Sequence, residues 1–196
     1  MNHSTASFYN RIAGLYPAVN LFLKSQKKRM IESVNKELPG RILEIGIGDG
    51  SHLPLYQFHQ IVGIDISETM LKKARRVITP DTKLMLMNGE NMSFPEKYFD
   101  YIILSHVIAV TENPGRLIEE VFRVLKPGGK LFILNHFTPA NWLRYVDWSL
   151  QPVAALFHLK SCFYIQDITG LQRFRLVRQV ELGIGSYFKL LIFKKP

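Results

Sequence analysis

The stretch Arg41-Ile-Leu-Glu-Ile-Gly-Ile-Gly-Asp-Gly50 decides the fold of this chain. Its first five residues form a short apolar segment, and the rest is a turn with glycine at every second position from Gly46 to Gly50. A second apolar segment follows and ends in Gly63-Ile-Asp65-Ile-Ser67. Glycine lets the turn bend sharply and lets a ligand approach the backbone where a Cβ atom would collide. An acid at the tip of the neighbouring strand can accept hydrogen bonds from ribose hydroxyls. The pattern therefore predicts a site for a cofactor that contains adenosine.

The charges around the turn indicate which adenosine cofactor is bound. The glycine spacing is G-x-G-x-G rather than the G-x-G-x-x-G of dinucleotide sites. Glu44 lies two residues before the first glycine, and Asp49 lies inside the turn. Two carboxylates would repel a pyrophosphate but attract an ammonium and a sulfonium. This favours S-adenosylmethionine over NAD or FAD. A phosphate-binding P-loop is excluded, because the chain contains no G-x-x-x-x-G-K-[ST] motif.

Further motifs follow in order along the chain. They are G-I-D-x-S at Gly63 to Ser67, S-x-x-M-L at Ser67 to Leu71, F-P-x-x-x-F-D at Phe94 to Asp100 and L-K-P-G-G at Leu125 to Gly129. Together with E-x-G-x-G-x-G at Glu44 to Gly50, they make the chain resemble the class I S-adenosylmethionine-dependent methyltransferases over nearly its whole length. The resemblance implies an enzyme of EC class 2.1.1, with S-adenosyl-L-methionine as cofactor and S-adenosyl-L-homocysteine as product.

The fold that this resemblance implies is an α/β, Rossmann-like, doubly wound sheet of seven strands with helices on both faces. The expected strand order is 3-2-1-4-5-7-6, with strand 7 antiparallel and an N-terminal helical lid. The expected strands are 41–45, a strand ending at Asp65, 83–87, 99–105, 130–135, 174–183 and 187–195. Leu125 to Gly129 is expected to end a helix. The 196 residues form one domain with four segments. These are the lid or membrane-facing segment 1–38, the cofactor-binding core 39–136, a substrate-side insertion 137–165, and a C-terminal helix and hairpin 166–196.

The resemblance also implies which residues hold the cofactor. The expected set is Glu44, Gly46, Gly48, Gly50, Asp65, Ile66, Met70, Asn88, Gly89, Glu90 and Ser105. Glu44 is expected near the amino group of the methionine portion, and Asp65 at the ribose hydroxyls. One position departs from the family, which usually has an aspartate where this chain has Asn88. The asparagine oxygen can still accept a bond from the adenine amino group. Alternatively, Asn88 only forms the turn, and Glu90 or Asn91 takes that role.

Composition limits the compartment and the partners. A single cysteine, Cys162, excludes an internal disulfide and fits a reducing cytoplasm. No apolar run reaches the roughly 18–20 residues that a bilayer-spanning helix needs, and the N-terminus does not resemble a signal peptide. The net charge of +9 indicates an anionic partner such as a membrane surface, nucleic acid or acidic substrate. We therefore expect a cytoplasmic protein, with peripheral association with the inner face of the membrane as a further hypothesis.

The N-terminal segment carries two tyrosines at helical spacing. Tyr9, Ile12, Ala13 and Tyr16 share one face, and Pro17 breaks or restarts the helix. Beyond the proline, the apolar side is expected to hold Val19, Phe22, Leu23, Met30 and Val34, and the polar side Lys24, Lys27, Lys28, Arg29 and Lys36. A basic amphipathic helix suits an anionic membrane interface. A lid helix packed on the protein, with its cations in solvent, explains the same pattern.

The insertion 137–165 is rich in aromatic and aliphatic residues and holds both tryptophans, Trp142 and Trp148. Three interpretations remain open for it: an apolar substrate pocket, a segment at a membrane interface, or a buried structural helix. The Tyr9-x-x-Ile-Ala-x-x-Tyr16 pattern and Asn135-His-Phe137 resemble the small bacterial phospholipid N-methyltransferases. Those enzymes convert phosphatidylethanolamine to phosphatidylcholine and are related to the ubiquinone and menaquinone C-methyltransferases. The resemblance implies N-methylation of a phospholipid headgroup, and a quinone or other small-molecule acceptor is the alternative.

Four side chains are candidates for the catalytic side: His106 and His136, each just beyond a strand, and Tyr9 and Tyr16 from the lid. A neutral histidine could receive the ammonium proton directly or through water. A histidine at a strand end is also commonly a packing residue. The tyrosines could orient the nitrogen by a cation–π contact or a hydrogen bond. A metal is not expected, because the chain lacks H-x-x-x-H and C-x-x-C motifs.

Two other functional classes compete with a lipid or small-molecule methyltransferase. Enzymes that methylate the amino groups of bases typically carry [DN]-P-P-[YF] after the fourth strand, where this chain has Ser105-His-Val-Ile108. No nucleic-acid partner is therefore expected. A non-catalytic regulator or subunit that binds S-adenosylmethionine is the second alternative, and cofactor turnover with any acceptor would distinguish it.

Overall fold

A seven-stranded sheet forms the centre of the protein in the computed structural model. The structure describes residues 16–137, 164–165, 168–182 and 188–196, and of residues 16–23 it describes the backbone alone. The strands are β1 (Arg41–Ile45), β2 (Gln60–Asp65), β3 (Thr82–Leu86), β4 (Phe99–Ser105), β5 (Leu125–His136), β6 (Arg175–Leu182) and β7 (Phe188–Lys194). Their order is β3-β2-β1-β4-β5-β7-β6, and β7 runs antiparallel to both of its neighbours. The predicted sheet order is confirmed.

In the described ranges, the α-helices that cover the two faces of this sheet are α1 (Tyr16–Val34), α2 (Glu68–Ala74) and α3 (Pro114–Val124). Short 3-10 turns lie at Leu53–Leu55, Ile108–Val110 and Leu171–Arg173. Helix α1 begins at Tyr16, with Pro17 in its first turn, where proline's fixed φ suits a helix and its missing N–H is not needed. Pro17 is therefore compatible with the first turn of this helix. Among the described residues, no helix is long and apolar enough to cross a membrane.

Helix α1 packs on one face of the sheet through a stripe of apolar residues. Met30, Ile31 and Val34 are each at most 1% exposed, and they cluster with strand residues that include Ile42 and Phe132. Burying an aliphatic side chain of this size contributes about 1.5–3 kcal/mol, so this stripe fixes the helix on the sheet. The apolar side of α1 over residues 30–34 is thus occupied by the protein itself.

Helix α3 covers the opposite face. Asn113 caps it by accepting a bond from the Arg116 N–H at 3.0 Å, and proline occupies the first turn. Its buried stripe consists of Leu117, Ile118, Val121 and Val124, spaced at helical intervals. These side chains join a large apolar cluster with strands β1, β4 and β5. The two packed faces leave the carboxyl edge of the parallel strands to carry loops.

The segment Leu125 to Gly129 differs from its prediction. It belongs to strand β5, which begins at Leu125 directly after helix α3. Leu125 pairs with Phe99, and a register shift before Tyr101 accommodates the extra residues. Gly128, with φ of +75°, supplies the unusual backbone of this irregularity. Helix α3 does end at this segment, with Leu125 as its C-cap, but the pairing with β4 starts five residues before the predicted strand start at Lys130.

Candidate cofactor site and acceptor edge

The glycine turn after β1 is held by the end of strand β2. The Gly46 N–H donates to the Ile64 carbonyl at 2.8 Å, and the Ile47 N–H donates to the same oxygen at 3.0 Å. The Gly48 N–H donates to the Asp65 Oδ2 at 2.8 Å. The turn and the acid at the tip of β2 are therefore built as one unit.

Two glycines in this turn are required by their surroundings as well as by their backbone. Gly46 has φ of +71°, and a Cβ there would lie 2.4 Å from the Val107 Cγ2. Gly50 has φ of +67°, and a Cβ there would lie 2.7 Å from the Ala74 Cβ. L-residues with side chains adopt such φ values rarely, and both sites lack room for one. The turn consequently packs directly against the segment after β4 on one side and against α2 on the other.

Asp65 links this turn to helix α2. Its Oδ1 accepts the Ser67 N–H at 2.9 Å, while its Oδ2 holds Gly48. Burial raises the pKa of the Asp65 carboxyl, and the backbone N–H donors of Ser67, Gly48 and Ile66 oppose that rise. Ile66 beside it is 49% exposed, so an apolar side chain stands open next to the acid. Met70, whose N–H donates to the capping Ser67 Oγ, is by contrast buried.

Glu44 lies on the α1 face of the sheet and is fully buried. Its Oε1 lies 2.7 Å from the His52 Nε2, and its Oε2 accepts the Tyr56 hydroxyl at 2.8 Å. Burial by itself would raise the pKa of Glu44, but His52, followed by the Lys27 charge and the Tyr56 hydroxyl, brings that pKa below its ordinary value. Both oxygens are engaged by side chains of the loop after β1. Glu44 therefore fixes the loop after β1 to the strand.

The loop after β3 is also held by its own contacts. The Asn88 Oδ1 accepts the Glu90 N–H at 2.9 Å, which makes Asn88 a turn-forming residue. The Glu90 carboxylate accepts the Asn113 N–H at 3.1 Å and so ties the loop to the start of α3. Gly89 is buried, and a Cβ there would lie 2.7 Å from the Ile45 Cγ2. These contacts support the alternative in which Asn88 forms the turn.

The ends of β4 and β5 form the other half of the edge. Ser105 is buried, and its Oγ has no hydrogen-bond partner in the described part of the chain. His106 and His136 both pack on the Phe188 ring, with centroid distances of 5.7 and 6.5 Å. Because Val107, which follows His106, also contacts the glycine turn, this pair of histidines lies near that turn.

His106 has an unusual backbone and an unusual environment. Its φ of +59° lies in the left-handed region, which histidine tolerates better than most residues. Its Nε2 is buried without a hydrogen-bond partner among the described residues. Burial, followed by the charges of Lys27 and His136, lowers its pKa to about 3. At neutral pH the ring is uncharged, so one of its two ring nitrogens can accept a hydrogen bond.

Comparison with known proteins identifies the family. A profile described as "Methyltransferase domain" matches residues 43–133, which span the turn, the acid and the strands up to β5. A curated relative, the phosphatidylethanolamine N-methyltransferase of Cereibacter sphaeroides, is 31% identical over 179 residues, covering 88% of each chain. The chain belongs to the S-adenosylmethionine-dependent methyltransferases. A second relative, the ubiquinone/menaquinone biosynthesis C-methyltransferase UbiE of Vibrio cholerae, is 27% identical and covers 86% of this chain; the match spans 66% of that relative's length.

A solved structure agrees on the fold of this methyltransferase. It is the methyltransferase in a complex with the Haloferax volcanii Trm112 methyltransferase activator, and it covers all of this chain with a TM-score of 0.80. At 13% sequence identity, it is similar in fold alone.

The residues at this edge fit S-adenosylmethionine. The glycine turn tied to Asp65, the exposed Ile66 beside that acid, and the Ser105 hydroxyl, which has no partner among the described residues, lie along one edge. When bound, the cofactor supplies an electrophilic methyl group on a sulfonium. The Glu44 carboxylate does not lie along this edge, because it is buried and bonded to His52. Met70 is buried in the core. Their predicted contacts with the cofactor stay predictions.

The sequence analysis did not predict the two hydrogen-bond partners of Glu44, and it placed Lys27 on the wrong side of helix α1. His52 and Tyr56 were not assigned a role, and only the turn that follows Gly50 brings them back to Glu44. Lys27, predicted on the polar side of α1, is half-buried on the sheet-facing side. Its spacing of three and seven residues before Met30 and Val34 is the signal that could have placed it there. Tyr9, the side chain of Tyr16, and residues 138–163 of the insertion lie outside the described residues.

Proposed function

We propose that this methyltransferase transfers methyl groups to the amine of a phosphatidylethanolamine headgroup at a membrane surface. The observation that carries the proposal is the match to the Cereibacter sphaeroides phosphatidylethanolamine N-methyltransferase. It covers 88% of both chains, whereas the cofactor-binding profile ends at residue 133. The similarity thus extends beyond the generic cofactor half, into the part of the chain where acceptor specificity is expected in this family.

The exposed side of α1 supports a membrane location. Lys24, Lys28, Arg29 and Lys36 all lie in or directly after this helix and are exposed, while its apolar stripe is buried on the sheet. A cation near an anionic leaflet contributes about 1 kcal/mol of attraction, so four of them would contribute about 4 kcal/mol. Attraction of that size is reversible, and it suits an enzyme that must reach a lipid headgroup and leave again.

The two histidines at the ends of β4 and β5 support an amine as substrate. Methyl transfer needs a nitrogen with a free lone pair, so an ammonium must lose a proton before the nitrogen–carbon bond forms as the carbon–sulfur bond breaks. His106 stays neutral at physiological pH and can orient the amine by accepting one of its N–H groups. With a pKa of about 3, it is a poor final acceptor for a proton. We assign proton removal to His136, which is only half-buried and can pass the proton to water.

The lid tyrosines complete the proposal. Tyr9 and Tyr16 are seven positions apart in the sequence, a spacing that puts two residues of a helix on one face. Aromatic rings close to a nitrogen stabilise the cationic products of successive methylations by cation–π attraction. Replacing either tyrosine with leucine should therefore affect the second and third methyl transfers more than the first.

The test is to incubate the purified protein with S-adenosylmethionine and vesicles that contain phosphatidylethanolamine and phosphatidylglycerol. S-adenosylhomocysteine release and lipid mass are followed together. We expect the lipid to gain mass in methyl steps. A parallel incubation with a demethylated quinone addresses the similarity to UbiE. Methylation of the quinone without methylation of the lipid would overturn the phospholipid proposal and leave the methyltransferase assignment in place.

Membrane attachment has its own control. Replacing Lys24 and Lys28 with glutamine removes two charges from the exposed side of α1, and replacing Lys72 and Lys73 removes two exposed charges from α2. Sedimentation with anionic vesicles should weaken for the first variant and change little for the second. An equal loss in both variants would mean that total charge, rather than the α1 surface, drives the attraction.

A further inference from the structure

Lys27 lies on the sheet-facing side of helix α1. It precedes the buried residues Met30, Ile31 and Val34 by three, four and seven positions, so it continues their stripe by one turn. It is half-buried, whereas its neighbours Lys24, Lys28 and Arg29 are exposed. A lysine in this place needs a reason, because the same position could hold an aliphatic residue without the cost of desolvating a charge.

The direction of α1 places Lys27 at the cofactor edge of the sheet. After the helix ends, Glu37 accepts bonds from the Lys130 ammonium, and the Tyr101 hydroxyl donates to the Leu38 carbonyl at 2.9 Å. Lys130 and Tyr101 are register partners well before the carboxyl ends of their strands. Seven residues of helix span about 10 Å, so from Val34 back to Lys27 the helix advances by about three strand residues. That displacement leads from the middle of the sheet towards its carboxyl edge.

The electrostatics agree with this position. Lys27 contributes to the charge environment of three groups around the site: Glu44, Asp65 and His106. Burial dominates the environment of each of them, and the lysine charge favours the ionised carboxylates and the neutral histidine. The charge of one ammonium therefore affects the pKa of groups on both sides of the glycine turn.

Neither acid is a direct partner for Lys27. Glu44 is engaged by His52 and Tyr56, and Asp65 accepts backbone N–H groups at both oxygens. Within the described part of the chain, the Lys27 ammonium forms no ion pair. The structure thus shows a half-buried cation near the glycine turn whose charge no carboxylate of the described residues neutralises.

We propose that the Lys27 ammonium binds the α-carboxylate of S-adenosylmethionine and so fixes the amino-acid end of the cofactor. The carboxylate is the one anionic group of this cofactor, and a charge-assisted hydrogen bond to it complements the acid that faces the ribose. Lys27 holds this position whichever acceptor is methylated. The inference rests on the methyltransferase activity and not on the phospholipid proposal, so each can fail while the other stands.

The experiment compares two ligands that differ by the carboxylate alone, S-adenosylmethionine and its decarboxylated form. Affinities are measured by titration calorimetry on the wild type, Lys27→Met and Lys28→Met. Methionine keeps an unbranched apolar stem, and Lys28 offers the same charge removal on the exposed side of the helix. We expect Lys27→Met to weaken S-adenosylmethionine binding by about 10- to 100-fold and to leave the decarboxylated ligand unchanged. Lys28→Met should change neither affinity, and Lys27→Arg should keep most of the preference for the carboxylate.

Three outcomes would overturn this assignment. An equal loss of affinity for both ligands would show that Lys27 supports the packing of α1. The melting temperature of each variant is measured as well, because lost packing would lower it. Unchanged affinity for both ligands would show that the ammonium merely reaches solvent along a packed stem. Unchanged cofactor affinity together with a raised KM for glycerophosphoethanolamine would show that Lys27 binds the phosphate of the acceptor instead.

Discussion

The Glu44 Oε1 lies 2.7 Å from the His52 Nε2, and both side chains are at most 3% exposed. The other oxygen of Glu44 accepts the Tyr56 hydroxyl. A strand residue thereby holds two residues of the loop that contains the glycine turn. Because a buried carboxylate is costly unless its oxygens are hydrogen-bonded, strand and loop keep one arrangement relative to each other. The shape of the glycine turn thus depends on a buried network as well as on its glycines.

Removing the Tyr56 hydroxyl should destabilise the protein. Tyr56→Phe leaves the Glu44 Oε2 buried without its donor, which costs about 1–3 kcal/mol of unfolding free energy. Urea unfolding at pH 7 measures this loss. Tyr98→Phe is the matched control, since Tyr98 contributes its ring to contacts with Arg41 and Phe99. Equal stability of the two variants would contradict a structural role for the network.

His106 should make the protein less stable in mild acid. In the unfolded chain a histidine takes up a proton near pH 6.5, but in the folded protein the pKa of His106 is about 3. The unfolded state therefore binds more protons between these values, and stability falls as pH drops below about 6.5. At pH 5 the loss attributable to this one residue is about 1–2 kcal/mol.

The variant His106→Asn tests this pH dependence. Asparagine also tolerates a positive φ, so the backbone at position 106 can be kept. Urea unfolding of both proteins at pH 8 and pH 5 should show a smaller acid-induced loss for the variant. The same loss in both proteins would mean that His106 takes up its proton equally well in the folded state.

Gly46 in the glycine turn should tolerate substitution less well than Gly128, a glycine with a similar φ elsewhere in the chain. Gly46→Ala brings a Cβ to within 2.4 Å of the Val107 side chain, whereas at Gly128 the nearest atom to a Cβ is 3.9 Å away. Both have positive φ, so Gly128→Ala measures the backbone cost alone, about 1 kcal/mol. We expect Gly46→Ala to lose about 1–3 kcal/mol more than this.

A second substitution separates the clash from the strain. Val107→Ala removes the Cγ2 atom that a Cβ at position 46 would meet, so it should restore part of the stability of Gly46→Ala. Thermal melts of the single and double variants give the coupling. Losses that simply add would show that Val107 does not limit the space at this turn.

The sheet could be predicted from local sequence because its strands carry local signals. The bounds of β1 and β4 agree with their predictions, since both are apolar runs that end at glycine or a polar residue. The start of β5 could not be predicted in this way. Leu125 to Gly129 contain proline and glycine, and only the pairing with Phe99 in another part of the chain makes the segment a strand. Long-range pairing of that kind leaves no mark in a short window.

The part of the candidate site formed by the glycine turn and the end of β2 could be predicted from the sequence. Gly46, Gly48 and Asp65 lie together because two neighbouring parallel strands end at the same edge. Lys27 was placed on the wrong side of its helix, because a cation was assigned by charge rather than by its spacing from Met30 and Val34. His52 contacts Glu44 because an irregular turn brings the two residues together. Such a turn has no sequence periodicity, so the contact could not be predicted.

Asp65 should control both the shape of the turn and the affinity for the cofactor. Asp65→Asn replaces one acceptor oxygen by an amide that donates, so either the Gly48 N–H or the Ser67 N–H loses its partner. It also removes the charge that would accept the ribose hydroxyls. We expect the Kd for S-adenosylmethionine to rise by about 10- to 100-fold, and the unfolding free energy to fall by about 1–3 kcal/mol. Titration calorimetry and urea unfolding measure the two effects.

Asp81→Asn is the control for this variant. Asp81 is exposed and lies just before β3, so its substitution removes the same charge and should change neither the Kd nor the unfolding free energy. Wild-type affinity in Asp65→Asn would mean that the ribose is held by other groups at this edge.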